Sequence, residues 1–473
     1  MSGHTEEATA RLRRVLGLRD LVLFNLAAVL NLSWTGTAAK AGWSALTLWA
    51  LAALLFFVPQ GLAVVELSSA YPEEGGVYAW TKREFGEGHG FLCGWCYWIN
   101  NVLFYPSTLL AASVAARYAF GLGEGGIGDD WTYSLVFTMA ALWLAAGLNV
   151  VGLGTGKWLQ NAGGAANYAA GALLILFGLY AALTSAPANP PSASAVLPAA
   201  VDFSSLNFLA TIAFAYAGLE LSATMGDEIE NPRRNLPRAV YWAAPVAAAV
   251  YVLGTGAVLW LLPVGEVNVT AAPFQAVAAG AGWRGVGALV AVCVAVGRLG
   301  SLGAWLSGPA RVAFVIGLDR YFPSAFGRVH ARYGTPHVAI LTQAVLATAF
   351  TLVGVLGKGT TVEHAFLTLI DMSLLLYFIP FAYLFLCFVR HLRRTRRAGR
   401  KVSVPGGHGF GTALGLSGLL VTLFSMAVAL VPPPETAQPW LFELKVAGGT
   451  TLLLLAGGLV YLLAERRQKA STG

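Results

Sequence analysis

FAYAGLELSATMGDEIENPRRNLP, residues Phe214 to Pro237, is the stretch whose reading decides the fold. Glu220 stands inside an apolar run, two residues after Gly218, and the run gives way after Met225 to Asp227, Glu228, Glu230 and a basic turn. Glycine weakens a helix, and a carboxylate in an apolar setting demands a partner. Backbone and charge are therefore both put to use in this segment.

The surroundings of that segment are those of a membrane protein. Hydrophobic residues make up 57% of the chain and charged residues 11%, with a mean hydropathy of +0.65, where a soluble domain carries about 25% charged residues. Reading apolar runs against the roughly 20 residues needed to cross a bilayer predicts twelve spans. They begin near Leu18, Trp43, His89, Trp131, Trp158, Ser204, Arg238, Gly285, His337, Glu363, Gly409 and Trp440. Arg11, Arg13, Arg14 and Arg19 lead into the first span without a small-residue cleavage site, so that span reads as a retained helix.

With both termini in the cytoplasm, 24 of the 30 Lys and Arg fall inside, and Lys40, Arg117, Arg284, Lys358 and Lys445 fall outside. Arg298 lies within a span. This partition is the positive-inside pattern, and it accounts for the net charge of +7 without a nucleic-acid partner.

Motifs that would carry enzymatic chemistry are missing. Cys93 and Cys96 form CGWC inside an apolar helix with no further ligand nearby, which reads as helix packing rather than a metal or redox site. Gly156-Lys157 imitates a phosphate loop, but Trp158 follows and the earlier glycine is lacking. Neither HExxH nor GxSxG occurs, so no enzyme, metal or cofactor is expected.

Organisation follows from counting spans. A tail, residues 1–17, precedes a first group of five spans, 18–184. After a Pro- and Ser-rich linker comes a second group of five, 204–389, then a basic loop, 390–408, two more spans, 409–464, and a tail, 465–473. An odd number of spans per group gives the two groups opposite orientation, a 5+5 inverted repeat with two accessory helices. Such repeats begin with discontinuous helices, here the span with Asn25, Asn31, Ser33 and Thr35 and the span with Gly218 and Glu220. The polar residues of the first span equally suit interhelical hydrogen bonds.

Several segments together resemble the amino acid, polyamine and organocation (APC) transporter superfamily: ELSSAYPEEGGVYAWTKREFG, GFLCGWCYW, LNVVG, DEIENPRRNLPRA, SLGAW and GLDRYFPSAFGRVHARYGTP. The pattern, with APF at Ala272 to Phe274, is nearest to its arginine/agmatine antiporter branch. The resemblance implies an all-α polytopic membrane protein of LeuT-like fold, in a plasma or bacterial inner membrane, and allows a homodimer. It places an aromatic gate on Phe214, an unwound stretch on Ala217-Gly218, a proton-linked acid on Glu220 and a path-lining tryptophan on Trp305. Asn25, Ala28, Asn31 and Tyr216 join these as candidate substrate contacts. Two departures stand out: the glycine-rich break of the family's first helix is replaced by Ala27-Ala28-Val29, and Asn167 stands where many relatives keep a lysine.

Three ionisable residues, Glu220, Arg298 and Asp371, fall deep in spans, each costing about 2.5–3.5 kcal/mol if unpaired. One reading is a structural salt bridge of Arg298 with either acid. The other is a fixed charge at Arg298 replacing sodium or lysine, with Glu220 exchanging a proton. Glu66 reads as part of a cytoplasmic gate. The expected activity is sodium-independent secondary transport of amino acids or related small amines, proton-coupled or by exchange. A polyamine or organic cation is the rival substrate, and a channel or nutrient sensor the rival class.

Overall fold

The computed structural model describes residues 12–121, 131–196, 203–355, 362–432 and 439–472. The acidic loop before the fourth span, the end of the linker before the sixth (residues 197–202) and the side chain of Asp371 lie outside the described residues. Among the described residues the regular structure is helical, joined by turns and loops, with one isolated bridge between Leu16 and Ile229.

The helices are α1 (Leu18–Val29), α2 (Ser33–Ala39), α3 (Ser44–Ala70), α4 (Val77–Phe85), α5 (Glu87–Ala119), α6 (Trp131–Val151) and α7 (Leu153–Thr184). They continue as α8 (Phe203–Ala215), α9 (Pro232–Leu261), α10 (Ala272–Ala281), α11 (Arg284–Leu318), α12 (His337–Val355), α13 (Val362–Arg397), α14 (Gly407–Ala429) and α15 (Pro439–Ala470). Among the described residues ten helices, counting Leu18–Ala39 as one, are long and apolar enough to cross a membrane. α12 is apolar but shorter over His337–Leu352, and α8 stops at Ala215 where the chain leaves the helix.

α11 is the central element, running between α5 and α7, and α7 also carries α1 and α9. Small residues permit this density. A Cβ on Gly163 of α7 would lie 2.4 Å from the Cα of Gly300 on α11, and one on Gly164 would lie 2.3 Å from the carbonyl oxygen of Leu23 on α1. Such backbone approach is how helices associate where lipid offers no hydrophobic driving force. Outward faces are apolar, with Trp158, Trp283 and Trp440 exposed near helix ends, as residues of an interfacial belt are.

Two helices are broken. α1 ends at Val29, Leu30 turns extended at φ −73°, ψ 111°, and α2 restarts with the Ser33 amide donating to Asn31 Oδ1 at 3.1 Å. No left-handed residue is needed, which is why this break forms without the glycine motif. In the other helix Gly218 takes φ +129°, followed by a 3-10 segment from Leu221 to Glu228. That backbone angle favours glycine, and a Cβ there would meet Trp305 at 3.2 Å and Val29 at 3.3 Å, so Gly218 is where the two breaks touch.

Gly164→Val should overpack the α7–α1 contact, costing about 1–3 kcal/mol. A lower melting temperature of the purified protein would report it, and an unchanged one would contradict the packing described.

Candidate functional site

Where the two breaks meet, the helix ends must find partners, because lipid supplies none. The carbonyls of Ala28, Val29 and Leu30, at and just past the end of α1, are each claimed by a neutral side chain. Trp305 Nε1 donates to Ala28 O at 3.1 Å, the Tyr251 hydroxyl to Val29 O at 2.5 Å, and Asn167 Nδ2 to Leu30 O at 2.8 Å. Tyr251 also donates to Ala215 O at 3.2 Å, tying the end of α8 to the end of α1.

Beside these ends lies a cavity of about 30 Å³, room for about two waters. It is walled by Ala28, Asn31 and Trp34 from the first break, Phe214 and Ala217 from the second, Asn100, Asn101 and Phe104 from α5, Ser301 and Trp305 from α11, and Tyr377 from α13. Phe214 packs edge-on against Trp34 (5.8 Å), Phe104 (6.4 Å) and Tyr377 (5.6 Å), and Trp305 meets Phe104 at 6.1 Å and Tyr377 at 5.8 Å. The ring faces of this box suit a cation or an aliphatic chain, which would need more room than the present space for about two waters. Asn100 Oδ1 and Asn101 Oδ1 are buried without a partner among the described residues and are free to accept from an amine.

Glu220 is saturated by donors. Gln60 Nε2 donates to it at 2.9 Å, the Tyr97 hydroxyl at 3.2 Å and the Gly218 amide at 3.1 Å, and the Tyr377 hydroxyl completes the set. Tyr377 therefore belongs to both the cavity wall and the carboxylate's shell. The readings that pair Arg298 with Glu220 are corrected here: Arg298 Nη2 donates to Ser33 Oγ at 2.6 Å, and no carboxylate of the described residues pairs with it. Asp371, the other suggested partner, has its side chain outside the described residues.

The structure brings Ala28, Asn31, Phe214, Ala217 and Trp305 to the cavity, with Gly218 immediately behind. Tyr216 does not join them. It stacks on Phe57 at 4.4 Å and meets Trp49 at 4.9 Å, because residues two apart on a helix point to nearly opposite faces and Phe214 takes the cavity face. Asn25 also lies off the cavity, fully buried, with both amide atoms unpartnered among the described residues. Asn167 holds the break itself. Sequence reasoning missed Trp34, Asn100, Asn101, Phe104, Tyr377, Gln60 and Tyr97. A signal existed for part of this set: Tyr97, Asn101 and Phe104 share helical spacing on one face of an otherwise apolar α5.

The face bearing the start of α1 is closed by a second polar cluster. Arg311 makes paired contacts with Glu228, at 2.6 Å through Nε and 3.1 Å through Nη2. The connection Pro72 to Gly76 lies across the 3-10 segment, where the Gly75 amide donates to Thr224 O at 3.0 Å and the Asp227 amide to Glu74 Oε2 at 2.9 Å. Nearby, Glu66 meets His391 Nε2 at 3.3 Å and the Ser403 amide at 2.7 Å.

Broken helices that meet at a small aromatic cavity, inside a bundle of membrane-length helices, are the build of a membrane transporter. The chain belongs to the amino acid permease family, whose model matches residues 21–451, within the APC superfamily; it is a transporter, not an enzyme. It is similar to an uncharacterised transporter of Legionella pneumophila, 27% identical over 97% of this chain and 98% of that protein. It is also similar to a probable agmatine/putrescine antiporter of Lactococcus lactis, 23% identical over 87% of each. A glutamate/gamma-aminobutyrate antiporter of the same species is 24% identical over 82% of this chain and 78% of its own length.

Glu74 in the closing connection is raised well above the ordinary carboxylate range, first by burial and then by the Glu228 charge. Arg311 and the Asp227 amide oppose this, and the Asp227 charge adds to it. A raised folded-state value means the stability this buried carboxyl lends the closed connection is fully present below the ordinary carboxylate pKa and is lost as pH rises through the raised one. Hydrogen exchange at the Gly75 amide should therefore accelerate with pH beyond its intrinsic rate, and Glu74→Gln should remove the excess. Identical profiles for the two proteins would refute this.

Proposed function

We propose that the chain is a secondary active transporter that moves amino acids or related small amines by alternating access, through exchange or proton coupling and without sodium. The observation that carries this reading is the junction of the two breaks, where Phe214, Trp305 and Tyr377 wall a cavity and Tyr377 also holds Glu220. A side chain shared between cavity and carboxylate ties solute occupancy to the state of that carboxylate. Among the described residues Glu220 meets neutral donors and no cation, so proton uptake there rearranges hydrogen bonds and needs no ion partner to be released. Sodium independence is supported by the carbonyls of Ala28, Val29 and Leu30, each already accepting from a neutral side chain.

Twelve spans in a 5+5 inverted repeat with two accessory helices, both termini cytoplasmic in a bacterial inner membrane, is the arrangement that fits this reading. The broken α1–α2 and the broken helix of α8 would open the two repeats, and α14 and α15 would be the accessory pair. The glutamate/gamma-aminobutyrate relative favours amino-acid substrates, and the agmatine/putrescine relative favours a polyamine as the second reading.

Counterflow in liposomes containing the purified protein tests the reading. Saturable exchange of an amino acid or amine, unaffected by sodium, is expected. Glu220→Gln should keep exchange but lose its dependence on a pH gradient. A pH response surviving that change would remove Glu220 from the coupling, non-saturating flux would indicate a channel, and binding without flux a sensor.

A further inference from the structure

α11 carries two buried arginines that are treated differently. Arg311 has a carboxylate, Glu228, in paired contact. Arg298, 2% exposed, has the Ser33 hydroxyl and no ion pair among the described residues. A buried guanidinium without a counterion is costly, so its retention calls for an anion that arrives during the working cycle.

Two other roles for Arg298 are already filled. It does not cap the end of α1, since Trp305, Tyr251 and Asn167 take those three carbonyls. Nor does it neutralise Glu220, whose oxygens are occupied by Gln60, Tyr97, Tyr377 and the Gly218 amide. Its position is one hydrogen-bonded step behind the cavity wall. Ser301, one turn further along α11, lines the cavity. Ser33, which accepts from Arg298, lies between Asn31 and Trp34, both lining residues, and its amide donates to Asn31.

We propose that Arg298 is the countercharge for a carboxylate on the transported solute, so that the substrate class is amines that also bear a carboxylate, not diamines. This rests on the transporter reading above. The amine end then meets the aromatic box and the free amide oxygens of Asn100 and Asn101, while the carboxylate lies toward Ser33 and Arg298. A second positive charge in place of the carboxylate would face the guanidinium and be repelled. Arg298 is thus a specificity-determining residue, and charge-assisted recognition by its planar guanidinium explains why a lysine would serve less well.

Two pairs of solutes that differ by the carboxylate test this: 4-aminobutyrate against putrescine, and arginine against agmatine. Counterflow and ligand-induced thermal stabilisation are measured with the full chain and with Arg298→Gln, Arg298→Lys and Asp371→Asn. The wild type should favour at least one carboxylate-bearing member by about tenfold or more, the worth of one charge-assisted hydrogen bond. Arg298→Gln should erase that preference, Arg298→Lys should keep part of it, and Asp371→Asn should keep it. Equal or better response to the diamines, no difference within either pair, or an equal loss for all four solutes in a correctly folded Arg298→Gln protein would overturn the proposal. Carboxylate-selective stabilisation without any counterflow would instead retain the assignment of Arg298 and sink the transport reading.

Discussion

The structure depends on how backbone groups are satisfied at the two helix breaks. In a bilayer a free carbonyl has no water to turn to, so a helix is interrupted only where protein supplies donors. Trp305, Tyr251 and Asn167 come from α11, α9 and α7 to hold the three carbonyls that end α1. Those helices can reach because Gly163, Gly164 and Gly300 let α7 close on α1 and α11. Tight packing and irregular backbone are two sides of one arrangement.

Charge is distributed over this frame in three ways. Among the described residues Glu220 is surrounded by neutral donors, Arg311 is matched by Glu228, and Arg298 meets a hydroxyl and no carboxylate. Each burial demands its own compensation, and the differences separate structural from functional roles. A matched pair holds an interface closed, a carboxylate ringed by neutral donors is held by hydrogen bonds alone, and a guanidinium against a hydroxyl lacks a countercharge among the described residues. The closing cluster at Glu74, Glu228 and Arg311 lies where the 3-10 segment meets the connection between α3 and α4, so the second broken helix is held at the far end of that segment as well as at the break, where Tyr251 meets Ala215 O.

Much of the architecture was legible in the sequence. Helices begin within a few residues of the starts read from apolar runs, since length and composition alone decide what a bilayer accepts. The break at Gly218 was legible too, because its glycine is local. The break after Val29 was harder, since Leu30 only turns extended and the cause, donors from three distant helices, is not local at all. Tyr216 shows the limit of proximity in sequence: two residues from Phe214, it faces Trp49 and Phe57 instead of the cavity.

By itself, then, the sequence determined that this is a membrane protein of broken and unbroken helices and that Glu220 and Arg298 would be buried, while the buried Arg311 and Glu228 escaped it. Its family and class as a transporter were legible in the motifs of its loops. Only the tertiary structure decided what those deep charges meet. Gln60, Tyr97 and Tyr377, up to 160 residues from Glu220, form its shell, and Ser33, 265 residues from Arg298, is what the guanidinium touches. Partnering of a buried polar group depends on which helices pack against which, and that is settled by the whole bundle at once, not by any stretch of it.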